Sequence, residues 1–110
     1  MTQGPIRPGR SAMAPPARKT PRPFEMHWGR GEIIEEATFQ SEHHQPTIQL
    51  LEYTEGEGAG RISIRFCTYN HRGGFQRSPL MVSEADLEGL RAALESTPRL
   101  RLLLRRLAGC

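Results

Sequence analysis

Arginine and tyrosine recur every four positions in one short stretch of the chain, at Arg61, Arg65 and Tyr69. If this stretch, RISIRFCTY, is a strand, alternation places the three side chains on one face of a sheet. Guanidinium groups contact phosphates, and an aromatic ring stacks on a base with about 1–3 kcal/mol. The spacing therefore indicates a surface for single-stranded nucleic acid, which Arg72 and Arg77 would extend. An ordinary solvated sheet face would carry the same residue types.

Patterns typical of catalysis or of a metal site are weak. Cys67 and His71 could form a nucleophile pair, but no third partner or oxyanion element accompanies them. The adjacent His43 and His44 would point to opposite faces of a strand and so could not share a metal ion. The glycine-rich loop EGEGAG precedes a strand, whereas a phosphate cradle precedes a helix. We therefore expect no enzyme activity, no metal and no cofactor.

Length and composition favour one small domain. The chain has 110 residues and a formal net charge of +3, and domains cluster at roughly 100–150 residues. No apolar run approaches the roughly 20 residues that a membrane span needs. Two cysteines, Cys67 and Cys110, are too few for a secreted protein stapled by disulfides. We expect a protein of the cytoplasm with no membrane contact.

The basic excess lies at the N-terminus. Residues 1–30 hold six basic groups and one acid, a sum of +5, whereas residues 31–110 hold nine basic and eleven acidic groups, a sum of −2. Six of the nine prolines also fall within the first 23 residues. Such a segment buries too little apolar surface to offset its ordering entropy. We expect residues 1–23 to be a disordered Pro/Arg-rich arm and residues 24–110 to be a single domain. The arm is either an untidy terminus or a segment that attracts phosphates.

Strand signals and then helix signals follow the arm. The predicted strands are Glu32–Phe39, Thr47–Tyr53, Arg61–Tyr69 and Phe75–Val82, and the predicted hairpin loops are Glu55–Gly60 and Asn70–Gly74. Ser83 and Asp86 approximate a capping box at the start of a helix with leucines at helical spacing. Pro98 fits the first turn of a second helical segment. The predicted fold is therefore α+β, a four-stranded antiparallel sheet followed by a C-terminal helix or two helical segments.

The predicted packing leaves one sheet face open and favours pairing of two chains. Alternation directs Ile62, Ile64 and Phe66 towards the helix and leaves the arginine face to solvent. Trp28, just before the first predicted strand, either caps the core or stacks on a base. The leucine-rich stretch 100–107 has apolar residues on more than one face. A homodimer would cover that surface, or the stretch folds back on its own sheet.

The run Arg61–Leu90 resembles the core of the bacterial relatives of the transcriptional coactivator positive cofactor four. The matches are Ile64, Arg65 and Phe66 in a strand, Asn70 and His71 in a turn, Leu80–Ser83 in a strand-to-helix passage, and Glu84, Asp86 and Leu87 at a helix start. The resemblance covers about residues 31–95. Departures are Phe66–Thr68, where the family usually has a tryptophan after its Ile-Arg pair, and Ser78–Pro79, where a Lys-Gly-like pair is expected.

This resemblance implies a function and an assembly. It implies a homodimer whose helices form the interface, sheets that bind single-stranded DNA or RNA, and no catalysis. It also implies a coactivator-like role in transcription or DNA maintenance. The alternative is a small protein–protein interaction module that docks a partner through the Arg/Leu-rich C-terminal helix. The net negative charge of residues 31–110 favours this alternative, whereas the basic arm and the resemblance favour nucleic acid.

Overall fold

Alternating apolar residues and glycine-rich turns form an antiparallel meander in the computed structural model, which describes residues 18–77 and 80–109. The strands are β1 (Arg22–Met26), β2 (Gly29–Thr38), β3 (Gln45–Gly56), β4 (Ile62–Tyr69) and β5 (Phe75–Gln76). Each strand pairs with its neighbour in the chain, and the resulting sheet is curled. Helices α1 (Leu87–Ala93) and α2 (Pro98–Ala108) follow, and short 3₁₀ turns at Glu84–Asp86 and Leu94–Ser96 precede them.

The predicted α+β class is confirmed, but the sheet has five strands and not four. The additional strand, β1, pairs with β2 in a register that places Phe24 opposite Gly31. It begins at Arg22, inside the segment assigned to the arm, and the predicted disorder of residues 1–17 lies outside the described residues. The predicted strand Phe75–Val82 is reduced to Phe75–Gln76, and residues 80–83 are not in a strand.

The face of the sheet that carries Ile48, Leu50 and Ile64, here called the helix face, packs against α2. Leu50 and Leu100 are fully buried there, and the half-buried members of the same cluster are Ile34, Ile64, Leu94, Leu103 and Leu104. The leucines of α2 are therefore used largely to cover the chain's own sheet.

The prediction that Ile62 and Phe66 meet the helices is wrong. These side chains remain 46% and 47% exposed, because the helices lie over β2 and β3 and leave β4 largely uncovered. Ile64 between them does pack against the cluster around Leu100. One strand thus has both a covered and an uncovered apolar part.

The start of α2 is attached to the sheet by a carboxylate. Glu35 of β2 accepts hydrogen bonds from the backbone N–H of Leu100 at 2.8 Å and of Arg99 at 3.3 Å. These donors belong to the first turn of the helix, which has no earlier carbonyl to bond. Pro98 stands in that first turn, as predicted.

The capping box predicted at Ser83 is absent. Ser83 makes no side-chain capping bond, and the Asp86 carboxylate instead accepts a hydrogen bond from the Ser41 hydroxyl at 3.0 Å. Asp86 thereby ties the helical region to the loop between β2 and β3. The contact between Asp86 and Ser41 therefore forms in place of the capping box that the local sequence predicted.

The other face of the sheet, here called the opposite face, carries Gln49, Leu51 and Arg65. At one end it has an apolar cluster of buried residues, namely Phe24, Ile33, Leu51 and Tyr53. Gly31 lies beneath this cluster, and a Cβ atom there would overlap the carbonyl oxygen of Glu52 and lie 2.7 Å from Cα of Tyr53. Only glycine lets β2 approach β3 so closely.

Candidate functional site

Arg65 is held at the centre of the opposite face by its neighbour on β3. It pairs with Gln49 in the strand register, and its Nε donates to Gln49 Oε1 at 2.7 Å. Its guanidinium carbon lies 4.8 Å from the centroid of the Phe75 ring. The two Nη groups make no hydrogen bond to an oxygen or nitrogen atom among residues 18–77 and 80–109, and the guanidinium also interacts with the Cys67 thiol beside it. A guanidinium that is fixed through Nε and free at Nη is oriented to donate to a ligand.

Tyr69 shares this face but is buried, with 7% of its surface exposed. Its hydroxyl oxygen accepts hydrogen bonds from Gln49 Nε2 at 2.9 Å and from Arg22 Nη2 at 3.2 Å. The Arg18 guanidinium lies over the ring at 4.0 Å from the centroid, and the Phe75 ring packs edge-to-face against it. The prediction that Tyr69 is exposed is therefore wrong, because residues upstream of β1 cover it. A base could not stack on this ring while Arg18 stays in place.

Glu36 is the buried carboxylate of this network, and sequence reasoning did not single it out. Its oxygens accept hydrogen bonds from both Nη groups of Arg22, at 2.9 and 2.7 Å, and from Gln49 Nε2 at 2.8 Å. Arg18 Nη1 lies 3.7 Å away. Burial alone would raise the pKa of Glu36, but the hydrogen bonds and the charges of Arg22 and Arg18 outweigh it and lower the pKa. The carboxylate is thus neutralised by two arginines and does not repel an anion.

The Phe75 ring is the aromatic surface that this part of the sheet presents to solvent. It is 47% exposed, follows the Asn70–Gly74 turn and pairs with Tyr69 in the strand register. In that turn, Asn70 Oδ1 accepts hydrogen bonds from the backbone N–H of Arg72 and Gly74 at 2.9 and 2.8 Å. Sequence reasoning placed Phe75 in a strand but assigned the stacking role to Tyr69. Because Tyr69 is covered, the exposed ring on this part of the opposite face is Phe75.

Arg61, Arg72 and Arg77 are exposed around this centre. Ion pairs within the described part of the chain involve other arginines, namely Arg18, Arg22, Arg30 and Arg91. Arg61 lies at the β3–β4 turn, Arg72 in the β4–β5 turn and Arg77 just after β5. The structure therefore distributes the predicted arginines along the β4–β5 side of the sheet. It does not gather them into a closed pocket.

A second exposed aromatic ring lies beside Arg61. Trp28, in the β1–β2 turn, is 50% exposed and packs edge-to-face on His27 at 4.6 Å between centroids. It lines a hollow of about 410 Å³ together with Arg61, Ser63 and Tyr53. Of the two roles considered for Trp28, stacking fits this exposure better than capping a core. The acidic residue Glu57 lines the same hollow. The hollow is therefore less uniformly positive than the surface around Arg65.

The residues considered for catalysis are poorly suited to it. Cys67 is buried, and burial raises the pKa of its thiol to about 11, so little thiolate is present at neutral pH. His71 Nδ1 lies within hydrogen-bond distance of Gln40 Nε2, at 2.8 Å. Across residues 18–77 and 80–109, no three His, Cys, Asp or Glu side chains cluster as metal ligands would.

No protein-family model, curated protein or solved structure matches the chain. The resemblance to the relatives of positive cofactor four therefore stays a hypothesis that rests on the residues quoted for it. None of the helices within the described part of the chain is both long enough and apolar enough to cross a bilayer.

Proposed function

We propose that this chain binds single-stranded nucleic acid along the β4–β5 side of the opposite face. The observation that carries the proposal is the pairing of Arg65 with the half-exposed Phe75 ring, at 4.8 Å from guanidinium to centroid. Arg65 lies over the Phe75 ring, so a base would stack on the part of the half-exposed ring that Arg65 leaves free, with its phosphates within reach of the Nη groups of Arg65. Single-strand binding sites combine such aromatic surfaces with cations that follow the backbone.

The charges around this pair favour a phosphate backbone as ligand. Arg61, Arg65, Arg72 and Arg77 lack a carboxylate within 4.0 Å in the described part of the chain. Glu36, the buried acid of the face, is already paired with two arginines. Unpaired arginines around a neutralised acid give a positive local potential, although residues 31–110 as a whole have a formal charge of −2.

The wider role follows only from the resemblance. We propose a dimeric, cytoplasmic, coactivator-like protein of transcription or DNA maintenance, without catalytic activity. The alternative, docking of a protein through α2, has less support, because Leu100, Leu103 and Leu104 already pack on the sheet. Leu102 and Leu107 are the leucines of α2 that remain exposed, at 58% and 71%.

Fluorescence anisotropy of a short labelled mixed-sequence oligonucleotide tests the proposal. Phe75→Ala removes the stacking ring and should weaken binding about 5- to 150-fold, the equivalent of 1–3 kcal/mol. Arg65→Ala should weaken binding and reduce the dependence on salt by about one phosphate contact. Arg91→Ala is the matched control, because Arg91 is an exposed arginine on α1 that pairs with Glu88.

The outcomes distinguish binding at the sheet face from nonspecific electrostatic attraction by arginines elsewhere in the protein. If Arg91→Ala weakens binding as much as Arg65→Ala, the sheet face is not the site. If the intact protein binds neither DNA nor RNA single strands, the proposal fails. Arg7→Ala with Arg10→Ala measures the contribution of the N-terminal segment and leaves in place Arg18 and Arg22, which are part of the network on the sheet.

A further inference from the structure

Within the part of the chain that the structure describes, the outer side of β4 has no strand beside it over most of its length. Among the described residues, β5 pairs only with Thr68 and Tyr69. The part of β4 from Ile62 to Cys67 is therefore an open edge of the sheet. Unpaired strand edges are places where another chain can add a strand.

Two hydrogen bonds establish which backbone groups of β4 point outwards. The N–H of Tyr53 donates to the carbonyl of Arg61 at 3.0 Å, and the N–H of Phe39 donates to the carbonyl of Pro46 at 3.1 Å. The odd-numbered residues of β3 therefore bond towards β4, and the even-numbered ones towards β2, because these directions alternate along a strand.

In the β3–β4 register, the odd-numbered residues of β3 are opposite Ser63, Arg65 and Cys67. These three residues use their backbone groups to bond β3. Ile62, Ile64 and Phe66 then direct their N–H and C=O groups to the open side.

The two edges of the sheet differ in how well they are protected against pairing. The edge formed by β1 contains Pro23, which has no N–H to offer and is typical of a blocked edge. The edge formed by β4 contains no proline, and two of its outward-bonding residues, Ile62 and Phe66, are about half exposed. The second edge thus has both the free hydrogen-bonding groups and the apolar side chains of a pairing surface.

We propose that two copies of this chain join through the free edges of β4, antiparallel and centred on Ile64. In this register, Ile64 lies opposite the partner's Ile64, and Ile62 lies opposite the partner's Phe66. The outward N–H and C=O groups of these residues then bond one another. Ile62 and Phe66, exposed in the single chain, cover each other at both ends.

Repulsion between arginines disfavours the two registers that differ from this one by a shift of two residues. With Ile64 at the centre, Arg65 lies opposite the partner's Ser63, and Arg61 lies opposite the partner's Cys67. A shift by two residues in one direction places Arg61 opposite the partner's Arg65, and a shift in the other direction places Arg65 opposite the partner's Arg65. Like charges directly opposite one another destabilise a sheet. The register centred on Ile64 is the one of these three that avoids such pairs.

The surroundings of Phe66 add apolar contact area to this interface. A hollow of about 290 Å³ opens beside Phe66 on the helix face, lined by Ile48, Leu87, Leu90 and Leu94 among others. The partner's Ile62 lies next to this hollow when it is opposite Phe66. The apolar contact is therefore larger than that of a bare strand edge.

Pairing would also join the arginines of the two copies, a consequence that rests on the proposed function. On the opposite face, the partner's Arg61 and Arg65 become diagonal neighbours of Arg65, at a separation of about 7–8 Å between Cα atoms. One strip of four arginines then crosses the two-fold axis. A nucleic-acid strand that runs along this strip would contact both copies.

Exchanged charges test the register directly. Ile62→Lys with Phe66→Glu places an introduced lysine opposite an introduced glutamate of the partner, whereas Ile62→Lys with Phe66→Lys places lysine opposite lysine. Both variants replace the same half-exposed side chains. By sedimentation equilibrium, the unmodified protein and the lysine–glutamate variant should be dimers, and the lysine–lysine variant a monomer. A monomeric unmodified protein, or equal masses for the two variants, would overturn the proposal.

Hydrogen exchange gives a second measurement that needs no variant. The amides of Ile62, Ile64 and Phe66 should gain protection as the protein concentration rises, whereas those of Ser63, Arg65 and Cys67 should be protected throughout. Protection of Ile62, Ile64 and Phe66 that does not depend on concentration would contradict pairing. Arg65→Ala should remain a dimer while its oligonucleotide binding is weakened, so the mass reports on this interface and the anisotropy on the proposed function.

Discussion

The guanidinium of Arg18 lies over the ring of Tyr69, 4.0 Å from its centroid, although the two residues come from opposite ends of the meander. The same side chain donates to Gln45 Oε1 and lies 3.7 Å from the Glu36 carboxylate. A residue upstream of the first strand is thus part of the folded body. Because Arg18 covers Tyr69, the ring that remains exposed on this part of the sheet is Phe75.

Arg18→Ala should lower the free energy of unfolding by about 1–2 kcal/mol, because it removes a cation–π contact and a partly buried ion pair. Arg18→Lys should cost less, because lysine keeps the charge near Glu36 but loses the planar stacking. Urea denaturation measures both. The neighbouring Lys19→Ala is the control, since Lys19 is exposed. An equal effect of Lys19→Ala would show that the contact with Tyr69 contributes nothing.

Acid should remove the contribution of Glu36 to stability. The folded protein holds the pKa of Glu36 below its ordinary value of 4.5, so the carboxylate stabilises the fold above pH 4.5. This stabilisation is lost as the pH falls through the lowered pKa. Glu36→Gln should therefore be less stable than the unmodified protein at neutral pH, and the difference should shrink on acidification.

Denaturation at a series of pH values from 7 to 3 measures this convergence. Glu88→Gln is the comparison, because Glu88 is an exposed glutamate on α1. Its stability should follow that of the unmodified protein at every pH. A constant gap between Glu36→Gln and the unmodified protein would mean that the pKa of Glu36 is not shifted.

Much of the central sheet could be predicted from the sequence, whereas its two ends could not. The sequence of β4 alternates clearly, and Gly56 and Gly60, which flank the β3–β4 turn, adopt the positive φ angles that a tight turn needs. β1 was missed because a five-residue strand that contains Pro23 has the composition of a disordered arm. The signal that could have found it is the alternation of Phe24 and Met26 just before the β1–β2 turn.

Part of the candidate site could also be predicted from the sequence. Alternation placed Arg65 and Tyr69 on one face, and both lie there. The burial of Tyr69 could not be predicted, because the hydrogen bond from Arg22 and the stacking of Arg18 join residues far apart in the chain. The role of Glu36 could not be predicted for the same reason, because its partners Arg22 and Gln49 lie on neighbouring strands and are distant in the sequence.

Gly31→Ala should destabilise the protein by about 3 kcal/mol, because the added methyl group overlaps backbone atoms of Glu52 and Tyr53 that cannot move aside. Gly58→Ala is the control in the β3–β4 turn. A Cβ atom there would lie 3.4 Å from the nearest atom of the Tyr53 ring, an ordinary contact. Thermal unfolding of both variants measures the difference. Equal losses would contradict the close approach of β2 to β3.

Leu100→Ala should lower the free energy of unfolding by about 2–5 kcal/mol, because it leaves a cavity in the centre of the helix-face core. Leu107→Ala, which removes the same group from an exposed position of α2, should change it by less than about 0.5 kcal/mol. Urea denaturation compares them. A large loss for Leu107→Ala would contradict the exposure of this leucine and would indicate that it is covered in solution.

Every strand of the meander pairs with the strand next to it in the chain. Closing a short loop costs little entropy, so each hairpin can form as soon as its second strand has left the ribosome. α2 is the exception, because its contacts join residues far apart in the chain. Leu100 packs against strands that are synthesised much earlier, and its backbone N–H is the hydrogen-bond donor to Glu35 of β2. Synthesis and folding should therefore proceed in the same order from β1 to β4, and the arrival of α2 should convert a loose sheet into the native protein.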